Sequence, residues 1–260
     1  EDVGLLTPRL FTEALETYWL GNPPSFPAGV ASLWKAMDQG GNYVTGKLLC
    51  FNGGLFATQE APPLTKEQLI LLLLASKSDW SGVDPSIFGT LLERALNPRE
   101  RHRLGAHYTP RAYVERLVKP TIEEPLRADW DLVRAAVRQL VLDGKVEAAQ
   151  KAVLEFHHNL CRTRVLDPAC GTGNFLYVTL DLFKRLESEV LALLSELGYQ
   201  QIGLEMANYR VTPEQFLGIE VKRWAKEIAE LVLWIGYLQW QVRQPGGALT
   251  VPQPVLRDYG

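Results

Sequence analysis

Cysteine is scarce in this sequence. Cys50, Cys161 and Cys170 are the three in 260 residues, too few and too widely spaced for a disulfide framework. No Cys-x-x-Cys pair or His/Cys cluster has zinc-ligand spacing, so no metal site is expected. Long apolar runs are missing as well. The longest, Leu69 to Ala75, is far short of a membrane span, and no membrane partner is expected. Neither sign of charge prevails: the formal net charge is −3, so bulk attraction to nucleic acid is not written into the composition. Such an average still leaves room for a local basic face. No repeat or low-complexity tract stands out. The opening Glu1-Asp2-Val3-Gly4 lacks the basic and apolar stretches of a secretion signal, and a cytoplasmic location is expected. The chain does not begin with Met, and it is expected to be cut at its front.

Apolar residues are plentiful enough for one large domain or two small ones. Apolar spacing predicts helices over 8–20 and 29–38, separated by the breaker Gly21-Asn22-Pro23-Pro24-Ser25-Phe26-Pro27. Phe51-Asn52-Gly53-Gly54-Leu55-Phe56 reads as a tight turn. A helix over 65–76 is capped by Thr65 with Glu67 in its first turn. Asp84-Pro85 starts another, with Ile87, Leu91, Leu92 and Ala95 on its expected inward face. No convincing strand is legible before residue 97. A polar, basic connector runs to Pro110, followed by predicted helices over 111–127, 128–142 and 145–160.

The period then changes. Arg164-Val165-Leu166-Asp167 and Phe216-Leu217-Gly218-Ile219-Glu220 read as short strands, each followed by a long helix, Asn174 to Leu197 and Arg223 to Trp240. Strand, glycine loop, helix, strand, helix is the opening of a parallel α/β sheet. The Pro- and Gly-rich stretch from Gln244 to Gly260 reads as a linker or the approach to a third strand. The fold class is therefore α/β: an N-terminal helical domain over 1–104, then an incomplete Rossmann-like sheet over 105–260. Apolar residues of the last helix, Ile228, Leu231, Val232, Ile235 and Leu238, are expected to face strands this chain does not contain.

The first strand ends in Asp167-Pro168-Ala169-Cys170-Gly171-Thr172-Gly173-Asn174-Phe175. In an open parallel sheet, ligands bind at the carboxyl ends of the strands. Gly171 and Gly173 let a ligand lie against the backbone, and the helix N-terminus offers free amides. Glu220, ending the second strand, can accept hydrogen bonds from ribose hydroxyls. A dinucleotide fingerprint would need a third glycine where Leu176 stands. Cys170 has no identifiable base partner and reads as a packing residue.

The string Asp-Pro-Ala-Cys-Gly-Thr-Gly-Asn-Phe-Leu resembles motif I of S-adenosylmethionine (SAM)-dependent DNA adenine-N6 methyltransferases. Gly105-Ala106-His107-Tyr108-Thr109-Pro110 is similar to their motif X, and Gly218-Ile219-Glu220 to their motif II. Phe51–Phe56, Asp79-Trp80-Ser81 and Ile87-Phe88-Gly89 resemble the helical region that precedes motif X in large enzymes of restriction-modification and phage-defence systems. The resemblance implies SAM as cofactor, and duplex DNA, with other subunits of such a system, as partners. It implies that Asp167, Ala169, Gly171 and Gly173 hold the methionine part of SAM. Phe175 would line the pocket, Glu220 would hold the ribose, and Tyr108, Thr109 and Pro110 would close the site; His107 is a weaker candidate.

The family catalyses with an Asn/Asp-Pro-Pro-Tyr/Phe loop at a strand end. Asn22-Pro23-Pro24-Ser25 imitates it, but a predicted helix precedes it, Ser25 cannot stack on a base, and the order of motifs is wrong. No catalytic residue is therefore assigned, and the chain is expected to stop before the catalytic loop. Other readings stay open at this point: a non-catalytic SAM- or DNA-binding subunit, a nucleotide-dependent oxidoreductase, or a methyltransferase acting on RNA or protein.

Overall fold

The structure is a computed structural model that describes residues 8–43, 46–48, 56, 58–80, 83–95, 109–203 and 208–243. Most of the expected turn at 51–56, together with Cys50, Ser81, the motif X residues Gly105 to Tyr108 and the stretch Gln244 to Gly260, lies outside them. The chain divides into two compact units, Asp84–Trp240 forming one of them. The boundary expected at 104/105 also falls outside the described residues, and the unit carrying the glycine loop takes in the helix that begins at Ile87.

In the first unit, α1 (Leu10–Ala14) continues through a wider turn, Leu15–Trp19, and is followed by α2 (Phe26–Gln39) and α3 (Lys66–Ser76). Leu15, Trp19, Phe26, Val30 and Leu69 form its core. The Trp19 indole stands edge-on to Phe26 at 5.2 Å, and α2 crosses it at Gly29, where a Cβ would lie 2.4 Å from the indole nitrogen. Asn22-Pro23-Pro24-Ser25 is a 3-10 turn between helices, with the Ser25 hydroxyl donating to Asn22 O at 2.7 Å. The cap of α3 is a full capping box, since Gln68 reaches back to the Thr65 amide at 2.8 Å. One expectation fails here. Strands β1 (Gly41–Tyr43) and β2 (Gly46–Leu48) pair as an antiparallel hairpin. Three-residue strands rich in Gly, Asn and Lys carry no alternation for a periodicity argument to find.

In the second unit, α4 is Ile87–Ala95. Its inward face differs from the expected one: Ile87 and Leu91 are exposed, while Phe88 reaches the core and Gly89 is buried. Helix α5 (Arg111–Val118) runs through a wide turn, Lys119–Glu123, into α6 (Glu124–Leu142). The break expected at 127/128 is absent because nothing there stops a helix; the ladder shifts instead at Pro120, which has no amide to donate. Helix α7 (Val146–Arg162) packs against α6 and against α8 (Asn174–Glu196).

Helix α8 is the centre of this unit. Leu176, Leu180, Phe183, Val190 and Leu194 are buried on it, as are the polar Asn174, Asp181, Lys184 and Glu187. It connects β3 (Val165–Asp167) to β4 (Phe216–Gly218), which pair in parallel with Val165 opposite Phe216 and Asp167 opposite Gly218. The unit is thus mostly helical around a two-stranded parallel sheet. Gln215, just before β4, donates to Leu160 O and Thr163 O at 2.9 Å each, closing the end of α7 onto the sheet. Helix α9 (Arg223–Arg243) lies along α8: a Cβ on Gly236 would strike Tyr177, and one on Gly173 would strike Ala229. Ile228, Val232 and Leu238, expected to be left uncovered, are therefore buried, and Leu231 and Ile235 half-buried. On and beside the strands, by contrast, Leu166, Leu217, Ile219 and Val221 are exposed. No described helix is long and apolar enough to cross a membrane.

A buried ion pair sits in this core. Lys184 donates to Glu187 within one turn of α8, the Val211 amide donates to the same carboxylate at 2.6 Å, and the His157 ring nitrogen lies 3.5 Å from it. Burial pushes the Glu187 carboxyl up, but Lys184, His157 and the Val211 amide outweigh it and hold it below its ordinary value of 4.5. Cys161 lies close enough to complete a His157–Cys161–Glu187 cluster, yet Lys184 already occupies the carboxylate, so a cation would have to displace an ion pair. Glu187→Ala leaves an ammonium buried without its counter-charge and is expected to cost about 3–5 kcal/mol in urea unfolding at pH 7. Because the carboxyl titrates lower folded than unfolded, its stabilisation is whole at neutral pH and is lost as pH falls below 4.5 toward the folded value.

Candidate methyl-donor site

The site grows from the end of β3. Hydrogen bonding between the strands continues past their last residues, with Ile219 N donating to Asp167 O at 2.9 Å and Cys170 N donating to Ile219 O at 3.1 Å. This carries the chain after each strand to the same end of the sheet. The Asp167 carboxylate accepts from the Ala169 amide at 3.0 Å, folding the Asp-Pro-Ala turn. Gly171 and Gly173 both take positive φ, 55° and 79°. Gly173 has a second reason to lack a side chain, because a Cβ there would sit 2.9 Å from Ala229 Cα.

Glu220 closes the loop. One of its oxygens accepts the Gly171 amide at 3.0 Å and the other the Lys222 amide at 2.8 Å. A carboxylate has about four acceptor positions, so both oxygens keep capacity for a ligand's hydroxyls. The Cys170 thiol is pushed up to about 11 by burial and by the neighbouring Asp167 and Glu220 charges. It is a neutral packing group, as expected, and it lies where Gly218 leaves room: a Cβ on Gly218 would be 2.6 Å from its sulfur.

Most of the residues proposed from the sequence converge. Asp167, Ala169, Gly171 and Glu220 share one loop through the hydrogen bonds above, and Gly173 closes it with its amide donating to Cys170 O at 2.8 Å. Phe175, one residue into α8, is partly buried against the core. Thr109 is tied to the loop's end by the Asn174 side-chain amide, which donates to Thr109 O at 2.5 Å. Pro110 is exposed as the first-turn cap of α5. Tyr108 and His107 lie outside the described residues.

Sequence reading missed three contributors. The sequence places Asn174 in the motif I string and at the start of a helix, with no role of its own. Arg111, directly after Pro110, reaches Asp181 at 2.6 Å. Gly89 of α4 stands so close to the loop that a Cβ would lie 2.3 Å from the Thr172 hydroxyl oxygen. The signal for Asn174 and Asp181 was present: two polar residues seven apart on a helix whose neighbouring positions are apolar.

Gly173→Ala is expected to destabilise the chain more than Gly171→Ala in thermal unfolding. Both pay about 1–2 kcal/mol for a left-handed backbone, but only position 173 adds a collision with the backbone of α9. Cys170 is expected to resist iodoacetamide in the folded chain at pH 8 and to react once urea unfolds it.

Residues 144–253 match the DNA-methyltransferase domain of the MmeI family. The chain is 28% identical over 211 residues to DNA methyltransferase A of Bacillus subtilis, covering 79% of this chain and 22% of that protein. It is 25% identical over 219 residues to a putative type II restriction enzyme and methyltransferase of Methanocaldococcus jannaschii, covering 72% of this chain and 18% of that protein. A solved structure of the type IIL restriction-modification enzyme MmeI in complex with DNA superimposes with a TM-score of 0.77 and 28% identity. That match covers 93% of this chain and 32% of the MmeI chain. The chain thus spans about a fifth of its curated relatives and a third of that structure, and what it is similar to throughout is DNA methyltransferases of restriction-modification type.

Proposed function

We propose that this chain is the SAM-binding part of a DNA adenine-N6 methyltransferase, built as the opening of a Rossmann-like sheet. The observation that carries the proposal is the pair of carboxylates at the glycine loop. Asp167 and Glu220 both bear on Cys170, and Glu220 lies directly on the Gly171 amide. Two negative charges at the strand ends disfavour a pyrophosphate and favour a cationic ligand with free hydroxyls. SAM is such a ligand, with a sulfonium, an ammonium and a ribose.

In this reading Glu220 holds the ribose hydroxyls. Asp167 and the backbone of Ala169, Gly171 and Gly173 hold the methionine part, Phe175 lines the pocket, and Tyr108, Thr109 and Pro110 close it. Bound SAM would supply an electrophilic methyl group for the exocyclic amine of an adenine flipped out of duplex DNA. The Asn-Pro-Pro-Tyr/Phe loop that holds such a base at a strand end has no counterpart in Asn22–Ser25, which caps a 3-10 turn between helices. The family resemblance to restriction-modification enzymes supports duplex DNA as the partner of the whole protein, alone or with other subunits.

Calorimetry on this chain should show binding of SAM and of its demethylated product, and none of NAD. Glu220→Ala should weaken SAM binding at least tenfold, in keeping with about 1.4 kcal/mol or more for hydrogen bonds to a charged group. With tritiated SAM, no methyl transfer to duplex DNA is expected from this chain, and Asn22→Ala should change nothing. NAD binding without SAM binding would overturn the assignment.

A further inference from the structure

The segment that carries Thr109 is held at two points by a single helix. At the start of α8, the Asn174 amide donates to Thr109 O at 2.5 Å. Two turns later on the same face, the Asp181 carboxylate accepts from Arg111 at 2.6 Å. Between the two anchored residues, Thr109 and Arg111, lies only Pro110.

Asp181 is a hub rather than a passing contact. Its side chain is 7% exposed, and besides Arg111 it accepts from Arg185 at 2.9 Å and from the Trp240 indole of α9 at 3.0 Å. Arg111 in turn bonds Glu115 at 2.9 Å and lies 3.5 Å from Asp84, just ahead of α4. Burial works against the Arg111 charge, but its carboxylate partners outweigh that and raise its pKa further. The guanidinium therefore stays charged at any working pH. The orientation of Asn174 is fixed too. Thr109 O can only accept, so the amide nitrogen must face it, and the Asn174 Oδ1 atom is left buried without a partner. An amide held in one orientation at that cost points to a role in holding Thr109.

Resting on the SAM-binding reading above, we infer that Asp181 and Asn174 are positioning residues for the methyl-donor site. Together they set the register of the Thr109–Pro110 segment against the glycine loop. Helix α8 begins at that loop, so the two walls of the site are referred to one rigid element. Asp181 acts through Arg111, and Asn174 acts through Thr109 O.

The test uses the 260-residue chain, four single variants and one double variant. Asp181→Asn keeps an acceptor for Trp240 but loses the charge that holds Arg111. It should raise the SAM dissociation constant about tenfold by calorimetry, at a temperature where circular dichroism shows the variant folded. Arg111→Gln should do the same, and the double variant should cost no more than the larger single. Asn174→Ala should also weaken SAM. Arg185→Gln is the control: it removes a partner of the same carboxylate that anchors nothing toward Thr109, and it should leave the SAM constant unchanged. Hydrogen exchange gives a second reading without ligand. The Tyr113 and Val114 amides, which donate to Pro110 O at 2.8 and 3.3 Å, should exchange faster in Asp181→Asn than in Arg185→Gln. Wild-type affinity in Asp181→Asn, or equal losses in Asp181→Asn and Arg185→Gln, overturns the positioning role. If the wild-type chain binds no SAM, the preceding proposal fails and the exchange rates alone decide this one: equal protection in the two variants overturns it, and loss confined to Asp181→Asn upholds it.

Discussion

Helix α8 must be buried on almost every side, and the rest of the second unit follows from that constraint. Its apolar residues take α7 on one flank and α9 on another, while α5 lies against the face of Asn174 and Asp181. A helix so enclosed must pair its charges. Glu187, Lys184 and Asp181 are each matched by opposite charge, and Glu187 also takes a backbone amide from outside the helix. The glycine loop is the N-terminal end of this helix, so the firmest part of the core and the proposed ligand site are continuous. The precision of the loop comes from hydrophobic burial behind it rather than from the loop's own few bonds.

The sheet contributes direction rather than mass. Two strands of three residues bury little, but their parallel register puts Asp167 and Glu220 on the same edge, and the ladder continues through Ile219 into Cys170. The loop is therefore gripped from both sides: from β3 through the Asp167 turn, and from beyond β4 through Glu220 on Gly171. Removing side chains at Gly173, Gly218 and Gly89 lets α9, Cys170 and Thr172 close to contact distance.

Much of this was legible in the sequence. The Asp-Pro-Ala-Cys-Gly-Thr-Gly string after a short apolar run, and Glu220 after a second, place strands, loop and helix correctly because local chemistry decides them: Pro168 ends the strand, and glycines admit positive φ. Thr65 and Asp84-Pro85 marked helix starts for the same reason. Tertiary information was not legible. The hairpin of β1 and β2 has no periodic signature. The inward face of α4 is set by the need of Gly89 to meet Thr172, which no spacing rule reveals, and so Phe88 rather than Ile87 faces the core. The spacing predicts a last helix without a cover because the sheet is short; α8 covers it, while Leu166, Leu217, Ile219 and Val221 on and beside the strands are exposed.

The contact between Gly89 and Thr172 also constrains how the sequence can drift. A methyl group at position 89 would overlap the threonine hydroxyl at 2.3 Å and crowd its Cβ at 3.0 Å. The two positions therefore share one volume, and neither can be enlarged independently. Alanine at 89 requires the Thr172 side chain to turn away or the chain around it to give, so it is expected to be tolerated less well beside threonine than beside a smaller residue. Substitution at one site is thus conditional on the state of the other, although they are far apart in the chain and only one belongs to the loop.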